Sequence, residues 1–180
     1  MAACRLDINL DQLCFAAEHH THEISFYLDT ETGAVVSVRH DDGHLAEAFL
    51  LIYLDHGILG PELEHWLEQC VDDVQRRDAV RTAVMIEQQY GARYVIIPAP
   101  ERTQCYADIL AFVGEMEDPV LSEWLSAAIQ GNGAFSRFRA LLREYEHERD
   151  RWFAYRRARI RERMIEWLAS VDVELTECDR

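Results

Sequence analysis

All eighteen basic residues of this chain are arginine, and ten of them fall between residues 131 and 170. A guanidinium keeps its charge at any accessible pH and presents a planar fork of donors to carboxylate or phosphate. Two stretches could use that chemistry. The first is GNGAFSRFR at 131–139, where Gly131 and Gly133 bracket Asn132, and Arg137, Arg139 and Arg143 follow. Free N–H groups at a helix start, with arginines beside them, attract phosphate or carboxylate. The second is RWFAYRRARIRERMIEWL at 151–168. Trp152, Arg156, Arg159 and Arg163 follow one another at steps of four, three and four. That spacing puts three guanidiniums on one helical face with an indole at its end, the pattern of a phosphate-tracking surface with a stacking aromatic.

Each stretch also has an architectural reading. Gly131 falls where one helix should stop in a left-handed C′ residue. Asn132 can then cap the next helix through its side-chain oxygen, and Gly133 lets the two helix ends approach. The corner also has the look of a helix-turn-helix motif whose second helix carries Arg137, Arg139 and Arg143. On the last helix Phe153, Ile160, Met164, Trp167, Leu168 and Val171 make a core stripe. Arg157, one turn beyond Phe153, is expected at the core edge with an acidic partner. Arg156, Arg159 and Arg163 are expected to point outward, although a solvated face whose arginines pair with acids shows the same pattern.

Charge is unevenly spread. The formal net charge is −15, too acidic for a general nucleic-acid coat. Residues 1–130 carry 7 Arg against 23 Asp and Glu, while residues 131–170 carry 10 Arg against 6. The arginine-rich segment is a basic island on an acidic protein.

Composition removes several chemistries. Without lysine there is no Schiff-base amine and no P-loop lysine, which excludes pyridoxal enzymes and ordinary P-loop NTPases. Three histidines cluster in EHHTHE at 18–23, and Glu62–His65 and Glu144–His147 have the spacing of di-iron bundles. With 19 Glu and 8 His in the chain, chance supplies about one such pair, and no His-Glu-x-x-His or cysteine pair accompanies them. No metal or other cofactor is expected. The five cysteines are scattered and read as reduced structural thiols. There is no G-x-S-x-G and no cysteine with an evident histidine partner.

The elements that must position these residues follow from periodicity. A short helix is expected over 6–18, opened by Asn9 or Asp11. Two β-rich runs, 23–28 and 34–39, flank a turn ending in Gly33, a hairpin signature. Residues 44–55 read as an apolar helix ending near Gly57. Pro61 suits the first turn of a helix over 61–76, which continues or breaks before a helical run to about 90. ARYVIIP at 92–98 is a third strand ended by Pro98. Helices over 103–114, 119–130, 133–145 and 148–170 complete the chain. The expected fold is α+β: a small antiparallel sheet, hairpin plus third strand, packed by about seven helices, with an all-helical C-terminal half. A single domain is expected over residues 1–180, made of a helix, hairpin and strand part (1–100) and a helical part (101–180).

Four segments carry a resemblance: YLDTETGAVV at 27–36, RYVIIP at 93–98, GNGAFSRFRALL at 131–142, and the tryptophan-to-Glu-Trp-Leu run at 151–168. The chain resembles uncharacterised protein family 0158, over the hairpin and residues 92–170. That family implies a grouping by fold and no activity.

The function expected from the residues is a non-enzymatic, cytoplasmic binding or regulatory module. Its basic C-terminal helices would meet an anionic partner, an acidic protein surface before nucleic acid. A selective nucleic-acid binder using the Gly131–Arg143 corner is the alternative, followed by an enzyme acting on a phosphorylated small molecule. No membrane span is expected: the greasiest run, LAEAFLLIYL at 45–54, has about half the length one needs.

Overall fold

In the computed structural model, residues 4–53 and 60–175 are described. They divide into two compact units, residues 4–53 and 60–99 with 168–175, and residues 100–167.

The first unit is organised by a three-stranded antiparallel sheet of order β3-β2-β4. Strands β2 (Ile24–Asp29) and β3 (Val35–Arg39) form the hairpin, in a register that sets Tyr27 opposite Val36. The turn needs glycine at 33 for two reasons. Its φ is +78°, and a Cβ there would stand 2.7 Å from the Asp7 carbonyl oxygen. The third strand, β4 (Tyr94–Ile96), is shorter than the apolar run suggests and pairs with β2, so β2 is central. Helix α1 (Leu10–His19) starts later than expected, with Asn9 as its cap through a 3.0 Å bond from the Gln12 N–H. The residues before it instead form β1 (Cys4–Leu6), which pairs in parallel with β5 (Val173–Leu175). This two-stranded ribbon adds a strand after the last helix that periodicity did not announce.

Helix α2 (His40–Tyr53) begins directly at the end of β3, four residues before the expected start. The expected end near Gly57 lies outside the described residues. The long helical run from Pro61 breaks into α3 (Pro61–Cys70) and α4 (Val74–Gln88), because Asp73 caps the second through the Gln75 N–H. Val38, Phe49, Leu67, Val80, Val84 and Tyr94 meet in one buried cluster. At ~25 cal/mol per Å2 of apolar surface, each such side chain contributes roughly 1.5–3 kcal/mol.

The second unit is helical: α5 (Arg102–Gly114), α6 (Pro119–Ala128), α7 (Ala134–Leu142) and most of α8 (Glu146–Ser170). Asp118 caps α6 with bonds from the Val120 and Leu121 N–H groups, and Pro119 takes the first helical position where no N–H is needed. The core holds Phe112 against Phe138 and Trp152, with ring centroids 6.5 and 5.2 Å from Phe112. The α+β class and the helical C-terminal half stand as expected, with eight helices among the described residues.

Candidate anion-binding cleft

Three carboxylates in the described chain are buried, and each meets an arginine. Asp42 accepts from Arg76 Nε at 2.8 Å, and Asp29 is gripped by Arg93 through two bonds of 2.9 and 2.6 Å. Burial alone would raise the Asp29 carboxyl. The Arg93 guanidinium and the Glu31 backbone N–H outweigh burial and bring the carboxyl down to about 2. In the second unit Asp108 accepts from Arg163 Nη2 at 2.5 Å and from Arg159 Nε at 3.4 Å. Arg159 also pairs with Glu162 one turn on.

Residues 100–167 hold eleven arginines and twelve carboxylates, so this unit is nearly neutral as a whole. Its charges are segregated. A cleft of about 690 Å3 is lined by Arg102, Arg139, Arg143, Arg149, Arg156 and Arg163, with Asp108 the carboxylate in its wall. The floor is apolar, with Ile109, Phe138, Leu142, Trp152 and Ile160. Phe135 and Phe153 line it as well, and Phe153 is 49% exposed. Among the described residues no carboxylate pairs with Arg102, Arg139 or Arg143. Arg163 Nη1 is buried without a hydrogen-bond partner. A volume of this size is that of a small-ligand site.

The helices set the cleft's length. Arg149, Arg156 and Arg163 repeat every seven residues on α8, which places them on one line about 10.5 Å apart. Phe153 and Ile160 repeat at the same interval between them. Helix α5 runs antiparallel to α8, since Asp108 meets Arg163 while the Glu115 carbonyl accepts from Arg151 at 2.8 Å. Arg102 therefore lies toward the Arg163 end. Arg143 follows the last residue of α7, before the short turn into α8, and so lies toward the Arg149 end.

The glycine corner serves a different purpose. Gly131 and Gly133 both take left-handed backbone, φ +69° and +79°. The cap of α7 is Gly133, with no side-chain bond, and not Asn132 as expected. Arg137 replaces it as the organising side chain. Its guanidinium donates to the carbonyls of Ala128 (2.8 Å), Gln130 (2.5 Å) and Asn132 (2.5 Å). A cation on the orphan carbonyls at a helix C-terminus satisfies both their hydrogen bonds and the dipole. Arg137 is thus a clamp on the corner, while Arg139 and Arg143 line the cleft.

On α8 the structure exchanges several expected roles. Trp152, expected at the end of an outward stripe, is buried in the core, and Phe153, expected in the core, is half-exposed. Buried positions fall at steps of eight, four and four, at Trp152, Ile160, Met164 and Leu168, with Arg156 on the same ridge only part-buried. Along that ridge the buried face turns by about 40° per four residues, so no fixed stripe describes it. Arg157 is exposed, whereas Arg159 and Arg163 hold the buried Asp108. The expected order, Arg157 inward and Arg159 and Arg163 outward, is reversed.

The histidines of EHHTHE diverge. His19 stacks on Phe15 at 3.8 Å, His20 packs edge-on against Phe26, and His22 lies beside Glu23. Burial pushes the His20 imidazole below its ordinary value, and its Nε2 has no partner. Among the described residues no group of three or more His, Cys, Asp or Glu could hold a metal ion. None of the described helices is long and apolar enough to cross a membrane.

An α+β chain with a basic cleft among its C-terminal helices is what fold and site define. The pattern of Uncharacterised protein family (UPF0158) matches residues 65–178, and the chain belongs to that family. A curated relative, UPF0158 protein PA5073 of Pseudomonas aeruginosa, is 26% identical over 169 residues, covering 94% of this chain and 86% of the relative. No solved structure matches the chain. The family pattern takes in α4 and much of α3, which the resemblance had left out, and all three helices that line the cleft.

Proposed function

We propose that the chain is a non-enzymatic binding module that engages an anionic partner through the basic helices of its second unit. The observation that carries this reading is the segregation of charge. Six of eleven arginines face one cleft with one of twelve carboxylates. Asp108 is held by two guanidiniums, so it is poorly placed to act as a base. The concave site favours an anion that enters it over a flat acidic protein face, and an acidic protein partner would have to insert a segment. A nucleic-acid strand is disfavoured because its charge would continue past the cleft over a protein of net charge −15. Cys70 and Cys105 are free thiols, which suits a reducing compartment, and a cytoplasmic location is part of the proposal.

Cys105 lines the cleft and Cys70 is exposed in the other unit, which supplies a built-in test. Inorganic tripolyphosphate should slow alkylation of Cys105 by N-ethylmaleimide and leave Cys70 unchanged. Arg139→Gln with Arg143→Gln should weaken that protection. Equal labelling with and without tripolyphosphate, together with no calorimetric binding, would refute the reading. Tight binding of random RNA with a steep salt dependence would put nucleic acid first.

A further inference from the structure

We infer that the anion taken by this cleft is a nucleoside carrying two or more phosphate charges; this rests on the anion-binding reading above and specifies its ligand. Charge comes first. Of the six lining guanidiniums, Arg149 pairs with Glu146 and Asp150 and Arg163 with Asp108, while Arg102, Arg139 and Arg143 meet no carboxylate among the described residues. A dicarboxylate would leave one of those three charges unmatched, whereas two phosphates bring three or four negative charges in little volume. The planar fork of arginine suits phosphate oxygens in pairs.

Shape comes second. The arginines are spread along about 21 Å of α8, from Arg149 to Arg163, with Arg143 toward one end and Arg102 toward the other. Inorganic phosphate alone reaches only a fraction of that length. Between the ends the lining is apolar and aromatic. Phe153 reaches it from α8, half-exposed, and Phe135 from α7, partly exposed. A half-exposed phenyl ring among cations is a platform for a base, because every base has a π-face and arginine stacks on it too. An acyl chain would fit the apolar floor but would leave the spread of guanidiniums without a counterpart. The cleft's 690 Å3 has room for one such ligand.

Calorimetry on the full chain at fixed ionic strength tests this with four probes: ATP, adenosine 3′,5′-bisphosphate, tripolyphosphate and adenosine. ATP places its phosphates at one end of the nucleoside and the bisphosphate at both, so the tighter of the two shows how the cationic ends are used. The better nucleotide should bind about tenfold tighter than tripolyphosphate, the increment expected for stacking one base, and adenosine should be weakest. Phe153→Ala should erase that tenfold advantage and leave tripolyphosphate affinity unchanged, and its exposed position keeps the fold intact. Arg156→Gln should weaken nucleotide and tripolyphosphate alike. Tripolyphosphate binding as tightly as both nucleotides would overturn the nucleoside assignment and leave the anion-binding reading standing. Failure of every phosphate probe would overturn both.

Discussion

The substitution Asp108→Asn keeps the shape of the side chain and removes its charge where two guanidiniums depend on it. Arg163 Nη2 lies 2.5 Å from the carboxylate and Arg159 Nε 3.4 Å away, with the Asp108 side chain 6% exposed. Unit charges about 4 Å apart attract by ~4 kcal/mol at an effective dielectric near 20. The desolvation of the carboxylate, relieved by the change, offsets part of this, so the net loss of stability should be roughly 2–3 kcal/mol. Arg159 can fall back on Glu162, whereas Arg163, whose Nη1 already lacks a partner, cannot. The same change takes one negative charge out of the cleft wall. At about 8 Å and an effective dielectric of ~40, that favours a bound anion by ~1 kcal/mol, about fivefold. Stability and affinity should therefore move in opposite directions. Urea unfolding would measure the first and tripolyphosphate calorimetry the second, with Arg157→Gln as an exposed control expected within about 0.5 kcal/mol of the parent. An unchanged urea midpoint for Asp108→Asn would refute the pairing. A weakened tripolyphosphate affinity would show that the carboxylate orders the arginines rather than competing with the anion, and the charge argument for the cleft would fall.

Acid titration tests the hairpin end. The Asp29 carboxyl sits near 2 in the fold against an ordinary 3.8, so its extra stability, ~2 kcal/mol, is complete above about pH 4 and lost as pH falls toward 2. The stability gap between the parent and Asp29→Asn should close over that window, and a constant gap would refute the assignment to Arg93. The two corner glycines should differ. Gly131→Ala meets open space and costs about 1 kcal/mol for its positive φ alone. Gly133→Ala should cost more, because the new Cβ lies 3.0 Å from Arg137 Nη1 and displaces the clamp. Equal urea midpoints would show that the guanidinium yields freely.

The fold was legible where one local rule decided. The hairpin needed only alternation and Gly33, the start of α1 only an asparagine ahead of an apolar run, and α6 only Asp118 and Pro119. Boundaries failed where two rules competed. Apolar periodicity runs on through residues 70–74, but Asp73 makes a better cap than a helix-interior residue, so the helix restarts there. The β1–β5 ribbon was hidden for another reason. Its partners are separated by almost the whole chain, and three-residue strands carry no period of their own.

The site shows how close a correct motif can come to a wrong assignment. Steps of three and four drew Arg156, Arg159 and Arg163 into one stripe, and that geometry holds on any helix. What spacing alone does not reveal is which side of the stripe the core lies on. Asp108, a carboxylate on another helix, decides it by drawing Arg159 and Arg163 inward while Arg157 stays in solvent. The seven-residue repeat of Arg149, Arg156 and Arg163, in phase with Phe153 and Ile160, was readable in the sequence and marks the cleft-lining line of α8. Its meaning depends on α5 and α7, which bring Arg102, Arg139 and Arg143 to the same space. A lysine-free chain neutralises the three buried carboxylates among its described residues with arginine, and that structural use conceals any functional one when arginines are only counted. Position separates the two uses. Arg76 and Arg93 each end on a buried acid, whereas Arg102, Arg139 and Arg143 line the cleft with no carboxylate partner among the described residues, and that surplus is the part of the charge pattern that folding alone does not require.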